Sequence, residues 1–121
     1  MTDTKGFYVP EHPDDSMRPD FDRNIDSITF GPYQRNIYIK IEAYADGNGG
    51  HDDSWAWLEL YLGGSVTRVE DKSFNQYHLR IVKEFVLSAG SALVATVKTS
   101  NGNGPTEVDH GIRVLDWFWL Q

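Results

Sequence analysis

The sequence contains no cysteine, which excludes a disulfide framework and any chemistry that uses a thiol. No apolar run approaches the roughly 20 residues that span a bilayer, and residues 1–6 lack the apolar core of a signal peptide. These absences predict a chain that is made in the cytoplasm and does not insert into a membrane. Basic residues are also scarce. The chain has 11 of them and 18 acidic residues, so its net charge is −7. A phosphate backbone is repelled by that charge, so we expect no nucleic-acid partner.

The length and the apolar content are sufficient for one folded domain. The chain has 121 residues, of which 40% are apolar and 13% aromatic, so it can bury one core and is not a disordered polymer. Its first 24 residues differ from the rest, because they hold three of the five prolines, Pro10, Pro13 and Pro19, and only scattered apolar side chains. We therefore predict an extended or flexible arm over residues 1–24 and one domain over residues 25–121.

Alternation with a period of two is the dominant pattern after the arm. Residues 36–45 place Ile37, Ile39 and Ile41 on one face and polar or aromatic side chains on the other, as a half-buried strand does. Similar runs predict strands at 25–30, 55–62, 66–70, 77–87, 93–99 and 111–120, with Lys83 indicating a bend or strand end. No window has helical periodicity, so the sequence predicts an all-β fold, an antiparallel β-sandwich of about seven or eight strands.

Glycine and proline mark the turns between these strands. Gly31-Pro32 separates the first two, and Gly63-Gly64 joins 55–62 to 66–70 as a hairpin. Residues 88–91 form another predicted turn, and residues 100–105 a long polar loop.

Four tryptophans occur in two pairs, Trp55 with Trp57 and Trp117 with Trp119. The spacing of two puts each pair on one face of its strand, opposite the aliphatic face that is expected to form the core. Monomers rarely expose such surfaces, so something should cover the rings. A subunit interface, a sugar-stacking platform and a second core layer are the three alternatives that the sequence leaves open.

No catalytic or cofactor motif is present. The sequence lacks a Gly-x-Ser-x-Gly elbow, a phosphate-binding glycine loop and a His-Glu-x-x-His zinc motif. The histidines, His12, His51, His78 and His110, are far apart in the sequence. His51 and His110 both fall in predicted loops, where the fold could bring them together at a metal or leave them facing water. We therefore expect no enzyme activity and no cofactor.

Residues 46–54 carry a partial calcium pattern. Asp46, Asn48 and Asp52 have the every-second-residue spacing of calcium loops. An EF-hand would need glycine and glutamate where this chain has His51 and Trp57. A looser calcium site and a solvated acidic turn both fit this segment, and we assign no metal site to it.

Three segments taken in order resemble a known family. They are Asn-Ile-Tyr-Ile-Lys-Ile at 36–41, Phe-Val-Leu-Ser-Ala-Gly-Ser at 85–91 with the strand after it, and Trp-Phe-Trp-Leu-Gln at 117–121. Their order is similar to that of the C-terminal tip domains of bacteriophage tail fibres, over about residues 25–121. The resemblance implies a trimeric β-sandwich that binds host surface glycans. Receptor-binding loops in such tips follow no fixed motif, so no binding residue is carried over.

The first hypothesis is therefore a non-catalytic receptor-binding domain of the virion tail tip, which recognises a bacterial surface polysaccharide as a homotrimer. The negative charge favours neutral or amino sugars, or a bridging cation. Residue type and loop position select the candidate contacts, with one tryptophan as a stacking ring: His51, Asp52, Asp53, Trp55, Asn101, Asn103 and His110. A structural virion protein, whose arm clasps a neighbour and whose aromatic faces are subunit interface, is the second hypothesis. A stand-alone lectin-like module is the third.

Overall fold

The computed structural model describes residues 27–49, 55–72, 75–102 and 106–120, which form two antiparallel sheets. The strands are β1 (Ser27–Phe30), β2 (Ile37–Asn48), β3 (Trp55–Leu62), β4 (Ser65–Asp71), β5 (Gln76–Leu87), β6 (Leu93–Gly102) and β7 (Thr106–Trp119). One sheet has the order β1-β6-β3-β4 and the other β5-β2-β7. The predicted all-β sandwich is confirmed, with seven strands in the described part of the chain. The predicted arm, 1–24, lies outside that part.

The core lies between the two sheets, and β2 contributes most to it. Ile37, Ile39 and Ile41 are each 0% exposed, as the alternation of this strand predicts. From the other sheet, Leu58 and Leu60 meet them, so the aliphatic faces of β2 and β3 pack together. Burial of such side chains contributes about 1.5–3 kcal/mol each and is the main force that holds the sheets together.

Turns form where glycine was expected to allow them. Leu62 pairs with Ser65 around Gly63, whose φ of 61° is in the left-handed region, so the β3–β4 hairpin is confirmed. Gly31 has a φ of 84° and lies in the connection by which the chain leaves β1 in one sheet for β2 in the other.

Strand β5 differs from its prediction at Lys83. It runs without interruption, and Lys83 pairs with Ile41, so neither a bend nor a strand end occurs there. Lys83 has the parity of the core-facing residues but is exposed, because β5 is an edge strand and a long lysine stem reaches solvent from it.

Strand β7 is longer than predicted, and two β-bulges change which side chains face the core. It begins at Thr106 instead of residue 111, and β6 extends to Gly102, so residues 100–102 of the predicted loop belong to a strand. Against β2 the register skips Leu115 and Val108, each of which has no partner in the ladder.

No helix in the described ranges is long or apolar enough to cross a membrane.

The bulge at Leu115 decides the position of the second tryptophan pair. It reverses the parity of β7, so that Trp117 and Trp119 join Ile112 and Val114 on the core face. Trp119 is buried, with its ring edge-on to Tyr33 at 5.9 Å. The expectation that these tryptophans lie opposite the aliphatic face is therefore wrong for β7, because the sequence carries no signal for the extra residue.

Candidate ligand-binding site

A pocket of about 330 Å³ lies where β2 ends and β5 and β7 begin. Its lining combines a carboxylate, an imidazole, two amides and an aromatic ring: Asp46, Gly47, Asn48, Gln76, Tyr77, His78 and Val108. The volume is at the small end of the range of about 300–1,000 Å³ that small-molecule sites occupy. The chain shapes it by register, because Asn48 pairs with Gln76 on one side and with Thr106 on the other. The second bulge of β7 then places Val108 at its rim.

The absence of a side chain at Gly47 leaves room for the Tyr77 ring, which forms one wall of the pocket. The ring of buried Tyr77 lies against the backbone of β2 at this glycine, and a Cβ there would collide with that ring. The same Cβ would lie 2.9 Å from the carbonyl oxygen of Thr106. A glycine inside a strand thus marks a close approach, and here it brings a tyrosine to the pocket.

Asp46 is the electrostatic centre of the pocket. Its Oδ1 accepts a hydrogen bond of 2.9 Å from Nη1 of Arg80 and lies 2.9 Å from Nδ1 of His78. The His78 side chain is 71% exposed, so its imidazole is available to a ligand. Because Arg80 balances the carboxylate, the pocket presents polar groups with little net charge.

The ion pairs continue along the outer face of this sheet and fix the Arg80 guanidinium. Glu42 lies between two arginines, with its Oε1 at 3.9 Å from Nε of Arg80 and 3.4 Å from Nε of Arg113. The ring of Tyr44, which is only 3% exposed, lies beneath both guanidinium groups, 5.6 Å from Arg80 and 4.0 Å from Arg113. Asp46 is therefore held by a connected network instead of a single flexible partner.

A second polar cluster lies at the same end of the strands and connects the two sheets. Thr99 of β6 donates a hydrogen bond of 2.7 Å to Oε1 of Glu107, and Oε2 of Glu107 contacts Nδ1 of His110. His110 is therefore a half-buried residue of β7 and not the solvated loop residue that was predicted, because β7 starts earlier than the polar sequence indicated. The hydroxyl donates to the carboxylate and not to the imidazole, so this cluster does not have the order that activates a nucleophile.

The first tryptophan pair lies on the outer face of the four-stranded sheet, as predicted. Trp55 begins β3 and is 38% exposed, so it can stack against a ligand. The Trp57 ring is covered by the Arg68 guanidinium at 4.4 Å, which Glu59 and Glu70 hold at 3.3 and 2.9 Å. Trp57 is thus covered by an arginine of the same domain, which is none of the three predicted alternatives.

Tyrosines on both outer faces are tied to carboxylates. The hydrogen bond of 2.9 Å from Tyr61 to Glu59 raises the pKa of the Tyr61 hydroxyl above its ordinary value. Partial burial raises the pKa of Tyr38, with Glu84 as a further cause. Both shifts favour the protonated phenol, which is also the form of an ordinary tyrosine at physiological pH.

The outer face of the three-stranded sheet also carries an exposed apolar patch, formed by Tyr38, Val86 and Phe118. Tyr38 stacks on Phe118 with ring centroids 4.5 Å apart, and the ladder places Val86 on the other side of Tyr38. Phe118 is 47% exposed and Val86 60%. We refer to these three residues as the outer apolar patch.

Of the seven predicted contact residues, only Trp55 is described and placed as expected. His51, Asp52, Asp53 and Asn103 lie outside the described residues. Asn101 is a residue of β6 that pairs with Ala56, not a loop residue, because β6 continues further than its β-branched run.

Sequence reasoning missed the pocket residues Gln76 and His78 and assigned Asn48 only to a calcium pattern. Gly47, an isolated glycine at the end of an alternating run, is the one signal that could have located them. No group of three or more histidine or acidic side chains within the described ranges is arranged to hold a metal ion.

Comparison with protein-family models, curated protein sequences and solved structures finds no match. The chemistry of the pocket is therefore the basis on which its ligand is inferred.

Proposed function

We propose that this domain is a non-catalytic glycan-binding domain whose site is the pocket around Asp46. One observation carries the proposal: the pocket combines the Asp46 carboxylate, the His78 imidazole and two amides with a buried tyrosine. Hydroxyl groups of a sugar both donate and accept hydrogen bonds, so they suit such a mixed set of donors and acceptors.

The charge of the site favours an uncharged sugar there. Arg80 balances Asp46 at 2.9 Å, and the whole chain carries a net charge of −7. An anionic group would gain no opposite charge from the pocket around Asp46. A neutral sugar, or an amino sugar near Asp46, is the ligand class that fits.

The resemblance to phage tail-fibre tips supplies the biological setting of the proposal. In that setting the ligand is a bacterial surface polysaccharide, and the domain acts in the virion as a homotrimer. Three weak sites on one rigid particle can exceed the affinity of a single site by about 10²–10⁴ when they engage together. The outer apolar patch supports self-association, because exposed contiguous apolar surface is typical of interfaces.

The same patch also favours the second candidate, a structural virion subunit. In that case the patch packs against a neighbouring subunit and no sugar binds. The two functions differ in one readout, since only the first requires the pocket around Asp46 to bind a glycan.

Asn48→Ala is expected to weaken glycan binding by about 5- to 150-fold, because it removes an amide whose hydrogen bonds are worth about 1–3 kcal/mol when a bound partner loses them. The measurement is a screen of the wild-type chain on immobilised bacterial glycans, followed by titration of the best ligand. Asn75→Ala is the matched control, because Asn75 is exposed and does not line the pocket. Equal affinity of the two variants, or no bound glycan, would contradict the proposal.

Phe118→Ser is expected to lower the solution mass of the protein if the outer apolar patch joins subunits. A trimer of the 13.8 kDa chain should have a mass of about 41 kDa by light scattering. Val66→Ser, a similar change at an exposed residue of β4, should leave the mass unchanged. A wild-type monomer would refute the trimer, whereas a trimer that binds no glycan would favour the structural subunit.

A further inference from the structure

The far end of the sandwich has a second pocket of about 330 Å³. It lies beside the connection from β1 to β2, the turn after β5 and the end of β7, and its lining is Gln34, Arg35, Asn36, Ala89 and Leu120. Hydrogen bonds tie these segments together. Oδ1 of Asn36 accepts from the amide of Ala89 at 2.8 Å, and the carbonyl of Asn36 accepts from the amide of Leu120 at 2.9 Å. The pocket is therefore preformed.

Arg35 differs from the other described arginines because no described carboxylate pairs with it. Arg68, Arg80 and Arg113 each pair with at least one glutamate or aspartate. Among the described residues, the Arg35 guanidinium makes only a long hydrogen bond of 3.4 Å to the carbonyl of Leu120 and lies 5.6 Å from the Trp119 ring. An arginine in a pocket without a carboxylate among its described neighbours can take an external anion.

We propose that this second pocket binds the carboxylate of an acidic sugar. A guanidinium offers planar, paired donors that match a carboxylate, and such charge-assisted hydrogen bonds are stronger than neutral ones. Gln34 and Asn36 place amide side chains on either side of Arg35, where they can bond the hydroxyl groups of the same ring. The site shares no lining residue with the pocket around Asp46, so each of the two sites can be tested independently of the other.

The test is a titration of the full chain with sodium glucuronate, followed by amide and arginine-side-chain NMR signals at constant ionic strength. We expect saturable shifts at Ala89 and Arg35, with a dissociation constant on the order of 1–10 mM. Arg35→Gln should weaken binding at least tenfold, and Arg35→Lys should be intermediate, because it keeps the charge and loses the planar pair of donors. Lys83→Gln is the matched control, since it removes one exposed positive charge elsewhere.

Several results would overturn the proposal. Equal binding by Arg35→Gln in a folded variant, judged by its NMR spectrum, would show that Arg35 does not hold the ligand. Shifts with glucose equal to those with glucuronate would show that the carboxylate is not needed for binding. Binding of acetate equal to that of glucuronate would show that the sugar ring is not needed.

The outcome is distinguishable from failure of the proposed function. Asn48→Ala should leave the glucuronate titration unchanged, and Arg35→Gln should leave binding of a neutral glycan unchanged.

Discussion

Gly31→Ala should be among the most destabilising single changes in this domain, by about 2–5 kcal/mol. Two costs combine. The φ of 84° at Gly31 is in the left-handed region, where a side chain costs about 1–2 kcal/mol. In addition, the new Cβ would collide with the carbonyl oxygen of Ser91 and lie 3.1 Å from the Leu87 side chain. The backbone must then shift, and overpacking of this kind costs about 1–3 kcal/mol more.

Gly90→Ala separates these two costs. Gly90 has nearly the same φ, 83°, but nothing lies within 4 Å of the position of its Cβ. It should lose only the conformational part, about 1–2 kcal/mol. Urea unfolding of both variants measures the difference, and an equal loss of stability would show that the contact with Ser91 is relieved at no cost.

Phe30→Ala should destabilise the domain by about 3–5 kcal/mol. Phe30 is fully buried, and its ring packs edge-on against Phe85 of the opposite sheet at 5.5 Å. It also holds β1, which has only four residues and pairs only with β6. A loss of this size is a large part of the roughly 5–15 kcal/mol by which domains are stable, so the variant should unfold at a clearly lower urea concentration than the wild type.

Phe30→Leu provides the graded comparison, because it leaves a smaller cavity and should cost less than Phe30→Ala. Val94→Ala is the surface control. Val94 pairs with Thr29 of β1 but is 46% exposed, so its truncation should change the free energy of unfolding by no more than about 0.5 kcal/mol. Equal losses for Phe30→Ala and Val94→Ala would mean that β1 is not anchored by its buried ring.

The sequence was sufficient to predict the fold where one face of a strand is apolar and the other is not. Ile37, Ile39 and Ile41 in β2, and Leu58 and Leu60 in β3, repeat every second residue, and all five are buried. The same reasoning failed at the start of β7. There the residues that face inward, Glu107 and His110, are polar, since they bond to each other instead of to an apolar core.

The candidate site was less predictable than the fold for a related reason. Asp46, Asn48, Gln76 and His78 come together because β2 and β5 pair over twelve residues each, and that register is a long-range property. The position of Trp117 and Trp119 depended on the bulge at Leu115, which changes parity without changing composition. Local patterns report which residues alternate, but they do not report where a ladder skips a residue.

Among the described strands, β1, β4, β5 and β7 are the edges of the two sheets, and they restrict how copies of this domain can meet. Each edge carries a different obstacle to an added strand. β1 is only four residues long, β4 bears Arg68 and Glu70, β5 places Lys83 at a core-facing parity, and β7 has two bulges. Growth of the sheets from chain to chain is thus opposed at every edge, and open-ended fibrils should be slow to form even in concentrated solution. Copies of this domain are therefore expected to meet through the faces of the sheets and not through their edges.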